Sequence, residues 1–424
     1  MKIAALLETL NSGGLDGALA SLYADVPAAR SRARSVLKGW QETFGRDEEA
    51  DVMLVSAPGR TELGGNHTDH QHGRVLCGSV DLDALACVGM NGQNVIRVCS
   101  EGYGMAEADL ASLEPMEGEI GTSAALIRGV AAGMAEQGFV VQGFDAYAVS
   151  DVPAGSGLSS SAAYEVLLGT AMNALFEGDL DAVTLAKIGQ RAENVYFGKP
   201  CGLLDQTACS VGGAAAVDFN DPAQPMVDRA EFDFSNCGYA LCIIDTHSDH
   251  ADLTDAYAAI PAEMKAVAQY FGREALREVD EEKFIADLAA VRQKVGDRAV
   301  LRAMHFFAEN RRAKEQAEAL QGGDFDAYLR LVNESGQSSW CLLQNITTGD
   351  PAHQAVALTL ARGQQLLGGR GAIRVHGGGF AGTVQAYVPH DLLEQFCSDM
   401  DALLGKGSCR VTRIRPQGGW VIVR

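Results

Sequence analysis

The chain has 424 residues, of which 47% are hydrophobic and 21% charged, and its formal net charge is −21. This composition is typical of a globular protein with one large core or two, and it excludes a disordered or fibrous chain. Because the negative charge repels nucleic-acid backbones and anionic lipids, neither is expected as a partner, although local backbone N–H groups can still bind phosphate.

The first half of the chain predicts alternating helices and strands. Residues 1–45 predict short helices with a polar break at 11–14. Leu185, Ile188 and Ala192 lie at helical spacing, and Asp179 or Asp181 is a candidate N-cap for that helix. Short apolar runs from residue 52 onward predict strands at 52–56, 73–80, 95–100 and 146–152.

The second half is mostly helical before it returns to strands. Residues 258–335 predict helices, and the stretch 303–320 is rich in Ala, Glu, Arg and Gln. Two strands are predicted at 372–375 and 384–388, around a glycine cluster. A boundary is expected between about 215 and 240, where an Asn-Asp-Pro triplet marks a loop. The pattern predicts a mixed α and β fold.

A loop rich in glycine and serine lies between a predicted strand and an amphipathic helix. Residues 152–163 are VPAGSGLSSSAA. Small residues let the backbone approach a ligand closely, and the helix N-terminus offers free N–H groups and a positive dipole end to phosphate oxygens. A serine hydroxyl can also ligate Mg²⁺. The pattern is not GxxxxGKS/T, because no Lys follows, and a flexible loop explains this segment alone equally well.

A second polar segment follows the first predicted strand. Residues 57–73 are APGRTELGGNHTDHQHG. They combine the cation Arg60 with Asn, His and Asp side chains, which suit hydrogen bonding to the hydroxyls of a polyol. A metal site is the less favoured alternative, because ligands in an extended loop diverge and no second cluster completes the shell. Its candidate ligands are His67, Asp69, His70 and His72.

Two further motifs complete a recognisable set. Residues 198–206 are GKPCGLLDQ, and residues 375–383 are VHGGGFAGT. In chain order the four motifs resemble those of the GHMP kinase family, which read GRxNLIGEHTDY, PxGxGLSSSA, GxPCGxMDQ and GGGFGG. The resemblance runs from about residue 54 to the C-terminus. It is strongest to the family members that use ATP to phosphorylate the C1 hydroxyl of galactose.

The resemblance implies an α+β, two-lobed GHMP kinase fold. An N-terminal ribosomal-protein-S5-like domain would carry the phosphate loop, and a C-terminal ferredoxin-like domain would follow, with the active site between them. On this basis the chain divides into an N-terminal helical leader at 1–50, a first domain at 51–230 and a second domain at 231–424.

The resemblance also assigns catalytic and nucleotide-binding roles. Asp205 matches the aspartate that accepts the C1 hydroxyl proton or orients that oxygen, and Arg60 matches the arginine that keeps it ionised. Ser161 and Glu193 match the ligands of Mg²⁺, the expected cofactor. The residues expected to wrap the ATP triphosphate are Gly155, Ser156, Gly157, Leu158, Ser159, Ser160 and Ser161.

The sugar-binding residues of the family match positions in the first motif and one tyrosine. Asp69 is expected on the ring hydroxyls, and Tyr257 near the C4 side of the sugar. The complete set of matched positions is Asn66, His67, Thr68, Asp69 and Tyr257.

This chain departs from the family pattern at informative positions. Glu62-Leu63-Gly64 replaces Asn-Leu-Ile, Asn66 replaces Glu, His70 replaces Tyr and Ala381 replaces Gly. The family's Glu contacts the sugar C6 hydroxyl, and the neutral amide of Asn66 would tolerate a C6 carboxylate. Galactose is the expected substrate, with galacturonate or N-acetylgalactosamine as alternatives. A non-catalytic sugar sensor is disfavoured, because Ser161 and the following Ala are retained.

The cysteines and the lack of long apolar runs predict in which cellular compartment the protein lies. Ten cysteines are scattered without a CxxC pair, so reduced and mostly buried thiols are expected. The apolar start of the chain is too short for a signal peptide, and no run approaches about 18 apolar residues. We therefore expect a cytoplasmic protein, a monomer or weak homo-oligomer, that binds ATP and a small sugar.

Overall fold

The computed structural model describes residues 1–153, 157–248, 253–347, 349–380 and 382–424. The helices of the described residues are α1 (Ile3–Ser12), α2 (Asp16–Leu22), α3 (Val26–Phe44), α4 (Ser123–Glu136), α5 (Ser160–Leu175), α6 (Ala182–Arg191), α7 (Leu204–Val211), α8 (Thr254–Tyr270), α9 (Glu281–Ala286), α10 (Leu288–Val295), α11 (Asp297–Gln321), α12 (Phe325–Ser338), α13 (Ala355–Leu367) and α14 (Leu393–Leu404).

The strands of the described residues are β1 (Met53–Gly64), β2 (Arg74–Met90), β3 (Val95–Ser100), β4 (Gly104–Asp109), β5 (Phe144–Ser150), β6 (Ala214–Asp218), β7 (Met226–Ala230), β8 (Tyr239–Asp245), β9 (Ala372–Val375), β10 (Thr383–Pro389), β11 (Cys409–Thr412) and β12 (Trp420–Val423). None of the helices in the described part of the chain is both long and apolar enough to cross a lipid bilayer.

The larger sheet has the strand order β12-β1-β2-β5-β3-β4. Strand β2 is 17 residues long, so its first part pairs with β6 and its second part with β5. Strand β1 is buried along its whole length, because helices cover both faces of the sheet. Val55 packs in the core with α4 and α5, whereas its neighbour Leu54 packs with α1 and α3 on the other face.

The N-terminal helices lie on the outer face of this sheet. The indole nitrogen of Trp40 donates to the Asp145 carbonyl oxygen at 2.9 Å. The Tyr23 hydroxyl donates to the buried Asp83 carboxylate at 2.6 Å, and Arg32 forms an ion pair with the same group. The helices predicted for residues 1–45 are therefore present and packed into the fold.

The smaller sheet is antiparallel, with the strand order β11-β8-β10-β9. Its two faces bury different neighbours. Leu241 and Ile243 of β8 pack toward the first lobe, whereas Cys242 and Ile244 pack with α13 and α14. This alternation follows from the two-residue period of a strand.

The predicted strands are found: β1, β2 and β10 are longer than the sequence indicated, β3 and β9 have the predicted bounds, and β5 begins and ends two residues earlier than predicted. The runs at 52–56, 73–80 and 95–100 overlap β1, β2 and β3, and the glycine cluster lies between β9 and β10. Asp181 caps α6, since its carboxylate accepts the backbone N–H of Thr184 at 2.8 Å. The last strand, β12, returns to pair with β1 in the larger sheet. The proposed division at 51–230 and 231–424 stays a prediction.

Candidate active site

A cavity of about 540 Å³ opens where the two lobes meet. The loop after β1 forms one wall, the segment before α7 forms another, and the glycine cluster between β9 and β10 forms a third. Its polar side chains are those of Arg60, Glu62, His67, Asp69, His70, Cys201 and Asp205.

Arg60 and Asp205 form a two-pronged ion pair in this cavity. Arg60 Nε and Nη2 donate to the two oxygens of the Asp205 carboxylate at 2.7 and 3.0 Å, and the Ser159 hydroxyl donates to it as well. Burial acts to raise the pKa of Asp205, but Arg60 and Ser159 outweigh it and hold that pKa below its usual value. Asp205 is therefore ionised at neutral pH and presents an acceptor oxygen to the cavity.

Arg60 also fixes the loop that leads into α5. Its Nη1 donates to the Gly157 carbonyl, and its backbone N–H donates to the Leu158 carbonyl at 3.0 Å. Gly157 has φ +70°, and an added Cβ would lie 2.9 Å from the Thr383 hydroxyl, so this position needs glycine. Ser159 precedes the first turn of α5, where free N–H groups point out of the helix. The predicted ligands Gly155 and Ser156 lie outside the described residues.

A carboxylate cluster lies beside the start of α5. Glu193 belongs to the π-helical turn Ala192–Phe197 that continues α6. Its Oε1 accepts the Ser161 hydroxyl at 3.1 Å and the Lys199 ammonium at 2.8 Å, and its Oε2 accepts Gln206 Nε2 at 2.9 Å. Hydroxyl and carboxylate oxygens are the ligands that Mg²⁺ prefers, and a cation already shares this oxygen. The group therefore suits a divalent cation.

Glu165 is a buried carboxylate next to this cluster. Gln206 Nε2 bridges its Oε2 at 3.0 Å to Glu193. Its Oε1 has no hydrogen-bond partner among the residues described. Burial, followed by the charge of Glu193, raises the pKa of Glu165 well above its usual value. The raised pKa favours the protonated form of Glu165, which lets the two carboxyl groups lie side by side.

The glycine cluster is held against the first motif by His376. The backbone N–H of Glu62 donates to His376 Nε2 at 3.2 Å, so Nδ1 carries the proton and donates to the Thr383 hydroxyl at 2.9 Å. Burial lowers the pKa of His376 well below its usual value, which keeps the ring neutral. A Cβ on Gly378 would lie 2.5 Å from a ring carbon of Tyr257, which explains a glycine there. Ala381 lies outside the described residues.

His67 and Asp69 reach the cavity from the loop after β1. His67 Nε2 lies 3.0 Å from the Gly378 carbonyl oxygen, and burial lowers the pKa of His67 to about 4, so the neutral ring donates there. Burial, and the nearby charge of Asp205, raise the pKa of Asp69. A Cβ on Gly202 would lie only 2.3 Å from Asp69 Oδ2. The glycine of the GKPCG segment therefore makes room for Asp69.

The other predicted sugar ligands do not line the cavity. Asn66 is fully buried, and its Nδ2 donates to the Glu62 carboxylate at 3.0 Å and to the Gly377 carbonyl at 2.7 Å. The Thr68 hydroxyl, also fully buried, donates to a backbone carbonyl of its own loop. Tyr257 donates from its hydroxyl to the Gly379 carbonyl at 2.6 Å and contacts Phe380 edge-on. These three sugar-binding assignments stay predictions.

Sequence reasoning missed two carboxylates that shape the site. Glu62 lines the cavity and forms a buried ion pair with Arg374 of β9. Burial raises the pKa of Glu62 despite that partner. Glu309 of α11 accepts the Gly65 backbone N–H at 3.1 Å and the Ser335 hydroxyl at 2.6 Å. In the first motif this chain has Glu62 where the family pattern has Asn, and Asn66 where the pattern has Glu. That exchange could have indicated a role for Glu62, whereas no local pattern indicates one for Glu309.

Comparison with known proteins places this site in a family. A model of the GHMP kinases N terminal domain matches residues 121–213, and the galactokinase galactose-binding signature matches residues 38–90. A galactokinase from Streptomyces coelicolor is 31% identical over 395 residues, which cover 91% of this chain and 97% of that protein. The chain belongs to the galactokinase family. A galactokinase from Glaesserella parasuis, 31% identical over 81% of this chain and 87% of that protein, agrees.

Comparison with solved structures also identifies the fold. Galactokinase from Lactococcus lactis, solved with galactose, has a TM-score of 0.76 and 26% identity, and the match covers 90% of this chain and 98% of that one. Mevalonate kinase from Methanococcus jannaschii has a TM-score of 0.61 at 14% identity over 86% of this chain and 98% of that one, which shows a shared fold only. The predicted GHMP kinase fold and α+β class are confirmed.

Proposed function

We propose that this member of the galactokinase family transfers the γ-phosphoryl group of ATP to the C1 hydroxyl of galactose, giving galactose 1-phosphate and ADP. The observation that carries the proposal is the Arg60–Asp205 ion pair, which faces the same cavity as His67 and Asp69 and lies beside the start of α5. A sugar in the cavity and phosphates on the helix would therefore meet at Asp205.

Asp205 is proposed to act on the attacking hydroxyl. Its ionised carboxylate can accept a hydrogen bond from the C1 hydroxyl, orient that oxygen and take its proton as the phosphoryl group transfers. Arg60 keeps the carboxylate charged and places a cation near the developing charge. His67 and Asp69 are proposed to hold the sugar ring, together with the predicted contacts from Asn66, Thr68 and Tyr257.

The nucleotide is proposed to bind at the start of α5. The segment 155–161 would surround the triphosphate, with backbone N–H groups and the helix dipole directed at its oxygens. Ser161 and Glu193 would hold Mg²⁺, because their oxygens lie 3.1 Å apart and Glu193 already attracts the Lys199 ammonium. When bound, Mg²⁺ neutralises charge on the phosphates.

The charges of the cavity favour a neutral sugar over a sugar acid. Glu62, Asp69 and Asp205 all line it, and the guanidinium of Arg60 is taken by Asp205. Among the cavity-lining residues that the structure describes, Arg60 alone is an Arg or Lys. A C6 carboxylate would meet these acidic groups without a free cation. We therefore prefer galactose to galacturonate, in spite of the amide at Asn66.

The test is an ADP-release assay with Mg-ATP against galactose, galactosamine, N-acetylgalactosamine, galacturonate, arabinose and glucose. We expect the highest kcat/KM with galactose, and phosphorus NMR should show phosphate on C1. Highest activity with galacturonate would overturn the assignment of the sugar. Binding of galactose by calorimetry without turnover of any sugar would support a sensor instead.

The working state of the protein is also proposed. We infer a cytoplasmic enzyme, supported by its ten free thiols, which suit a reducing compartment. We also propose that it acts as a monomer or weak homo-oligomer. Light scattering coupled to size-exclusion chromatography would measure the mass in solution. A stable higher oligomer at micromolar concentration would contradict the proposed state.

A further inference from the structure

Three cysteines from three elements meet on one face of the smaller sheet. They are Cys242 of β8, Cys397 of α14 and Cys409 of β11, and their sulfur atoms all lie within 4.8 Å of one another. The Sγ atoms of Cys397 and Cys409 are 3.5 Å apart. Cys242 is more than 150 residues before Cys397 along the chain, so the fold brings it to the Cys397–Cys409 pair.

The cluster has no part in the proposed phosphoryl transfer. Cys242 points to the face covered by α13 and α14, whereas its neighbours Leu241 and Ile243 point toward the first lobe. All ten cysteines of the chain are free thiols, so these three are available as ligands. Cys242 is fully buried and the other two are half-buried, which leaves an approach from the α14 and β11 side.

We propose that Cys242, Cys397 and Cys409 form a three-thiolate site for a thiophilic d¹⁰ cation, Zn²⁺ or Cu⁺. With a metal–sulfur distance of about 2.3 Å, sulfur atoms around a tetrahedral ion lie roughly 3.8 Å apart. The observed separations require only small side-chain rotations to reach that spacing. Binding forms metal–sulfur bonds and releases the thiol protons to solvent.

Neighbouring groups already orient one of the ligands. The Asp401 carboxylate accepts the Cys409 backbone N–H at 2.9 Å, and it lies one helical turn after Cys397 on α14. It also accepts the Gly407 backbone N–H at 2.9 Å, which fixes the turn into β11. Such supporting hydrogen bonds are usual around metal ligands. A bound cation would fasten the edge strand β11 and helix α14 to β8.

The test compares metal binding by the full chain and two variants. Reduced protein freed of metal by a chelator is titrated separately with Zn²⁺ and with Cu⁺, desalted and assayed for metal per chain. We expect one ion per wild-type chain, a higher Tm with metal, and thiolate-to-cobalt charge-transfer absorption after Co²⁺ substitution. Cys397→Ser removes a direct ligand and should weaken binding by more than the roughly tenfold that loss of a supporting group costs. Cys341→Ser, at an exposed thiol outside the cluster, should bind like wild type.

A second measurement keeps the proposal testable if Cys397→Ser does not fold. Alkylation of wild type followed by mass spectrometry should show Cys397 and Cys409 protected by the bound metal, while Cys341 reacts with or without it. The titration that retains an ion identifies it as zinc or copper. No retained metal in either titration, equal affinity of Cys397→Ser, or no protection would overturn the proposal. Kinase activity should be the same in all three proteins.

Discussion

Asp205 has the surroundings of a carboxylate that must stay charged although it is only partly exposed to water. Arg60 and Ser159 supply the hydrogen bonds that solvent would otherwise give. Replacing it by Asn keeps the shape and an acceptor oxygen but removes the charge that attracts the hydroxyl proton. We expect Asp205→Asn to lower kcat by about 100-fold or more, with a small change in the sugar KM.

Steady-state kinetics and calorimetry with galactose measure these two effects separately. Asp228→Asn, at an exposed position, is the matched control and should behave like wild type. A kcat near wild type in Asp205→Asn would remove this residue from its proposed role. Loss of sugar binding together with turnover would indicate that Asp205 mainly positions the substrate.

Asn66 was predicted to contact the sugar, but in the structure its side chain is a buried partner of Glu62. A substitution at Asn66 distinguishes the two roles. The Asn66 amide donates to the Glu62 carboxylate at 3.0 Å and is fully buried, so an aspartate there would place two carboxylates in contact. We expect Asn66→Asp to lower the free energy of unfolding by roughly 3 kcal/mol or more.

Urea denaturation at pH 7 measures the loss, with Asn94→Asp in an exposed turn as the control. Unchanged stability combined with an altered sugar preference would place the Asn66 side chain on the substrate instead.

At the residue scale, the family resemblance predicted Arg60, His67, Asp69 and Asp205, which the fold brings to one cavity. It could not tell whether Glu62 or Asn66 faces that cavity. Glu62 lies near the end of β1 and Asn66 lies in the turn four residues later. The directions of their side chains depend on φ and ψ in that turn. The partner of Glu62, Arg374, is 312 residues away, beyond any local pattern.

At the element scale, the loop before α7 and the loop after β1 approach so closely that a glycine is required between them. Gly202 lies before α7, and a Cβ there would come within 2.3 Å of Asp69 Oδ2, at the start of the short helix Asp69–Gln71. Gly202→Ala should push Asp69 out of position and raise the sugar KM by about tenfold, since small displacements of binding groups cost this much.

Sugar titrations at saturating ATP measure that KM. Gly118→Ala, where an added Cβ meets nothing within 4 Å, is the control. Because Gly202 does not have a positive φ, stability should change little. An unchanged KM would show that Asp69 can move without loss, or that it does not hold the sugar.

The existence of the elements was easier to predict than their partners. The short apolar runs located β1, β9 and β10, but such runs carry no information about which strand lies beside which. The return of β12 to β1 was therefore missed. Helix α11 was predicted as a helix, but its composition did not indicate that it buries His305, Glu309 and Gln316 against the first motif and α12.

At the scale of the whole molecule, Glu309 joins the second lobe to the loop of the first. Burial acts to raise the pKa of Glu309, but His305, the guanidinium groups of Arg312 and Arg374, and the Ser335 hydroxyl hold it at about 2. Burial lowers the pKa of His305, so the guanidinium groups of Arg312 and Arg374 are the cationic partners of Glu309.

A folded pKa below the unfolded value of 4.5 means that ionised Glu309 stabilises the fold above pH 4.5. That contribution is lost as the pH falls from 4.5 to about 2. We expect Glu309→Gln to lose roughly 3 kcal/mol of unfolding free energy at pH 7, and less at acid pH. Urea unfolding of both proteins at several pH values measures the difference, and a pH-independent difference would contradict the ion-pair explanation.

The N-terminal helices, residues 1–45, are either a separate leader or part of the first lobe, and their packing distinguishes the two. None of the four motifs lies within residues 1–45, so those motifs set this segment apart, although the galactose-binding signature begins at residue 38. In the structure Trp40 is 1% exposed, and its ring fills the space above Gly89 of β2. We expect Trp40→Ala to lower the unfolding free energy by about 3 kcal/mol or more, because it opens a cavity in a core shared with β1 and β2.

The half-exposed Trp340 provides the control. Trp340→Ala removes the same kind of side chain from the surface, so it should lower the unfolding free energy far less. Circular dichroism during urea unfolding gives both values. The helices lie on the face of the sheet opposite α5, so the kcat of folded Trp40→Ala should match wild type. Equal stability of the two tryptophan variants would show that the leader is only loosely attached. A large loss for Trp40→Ala would show that the first lobe folds together with its N-terminal helices.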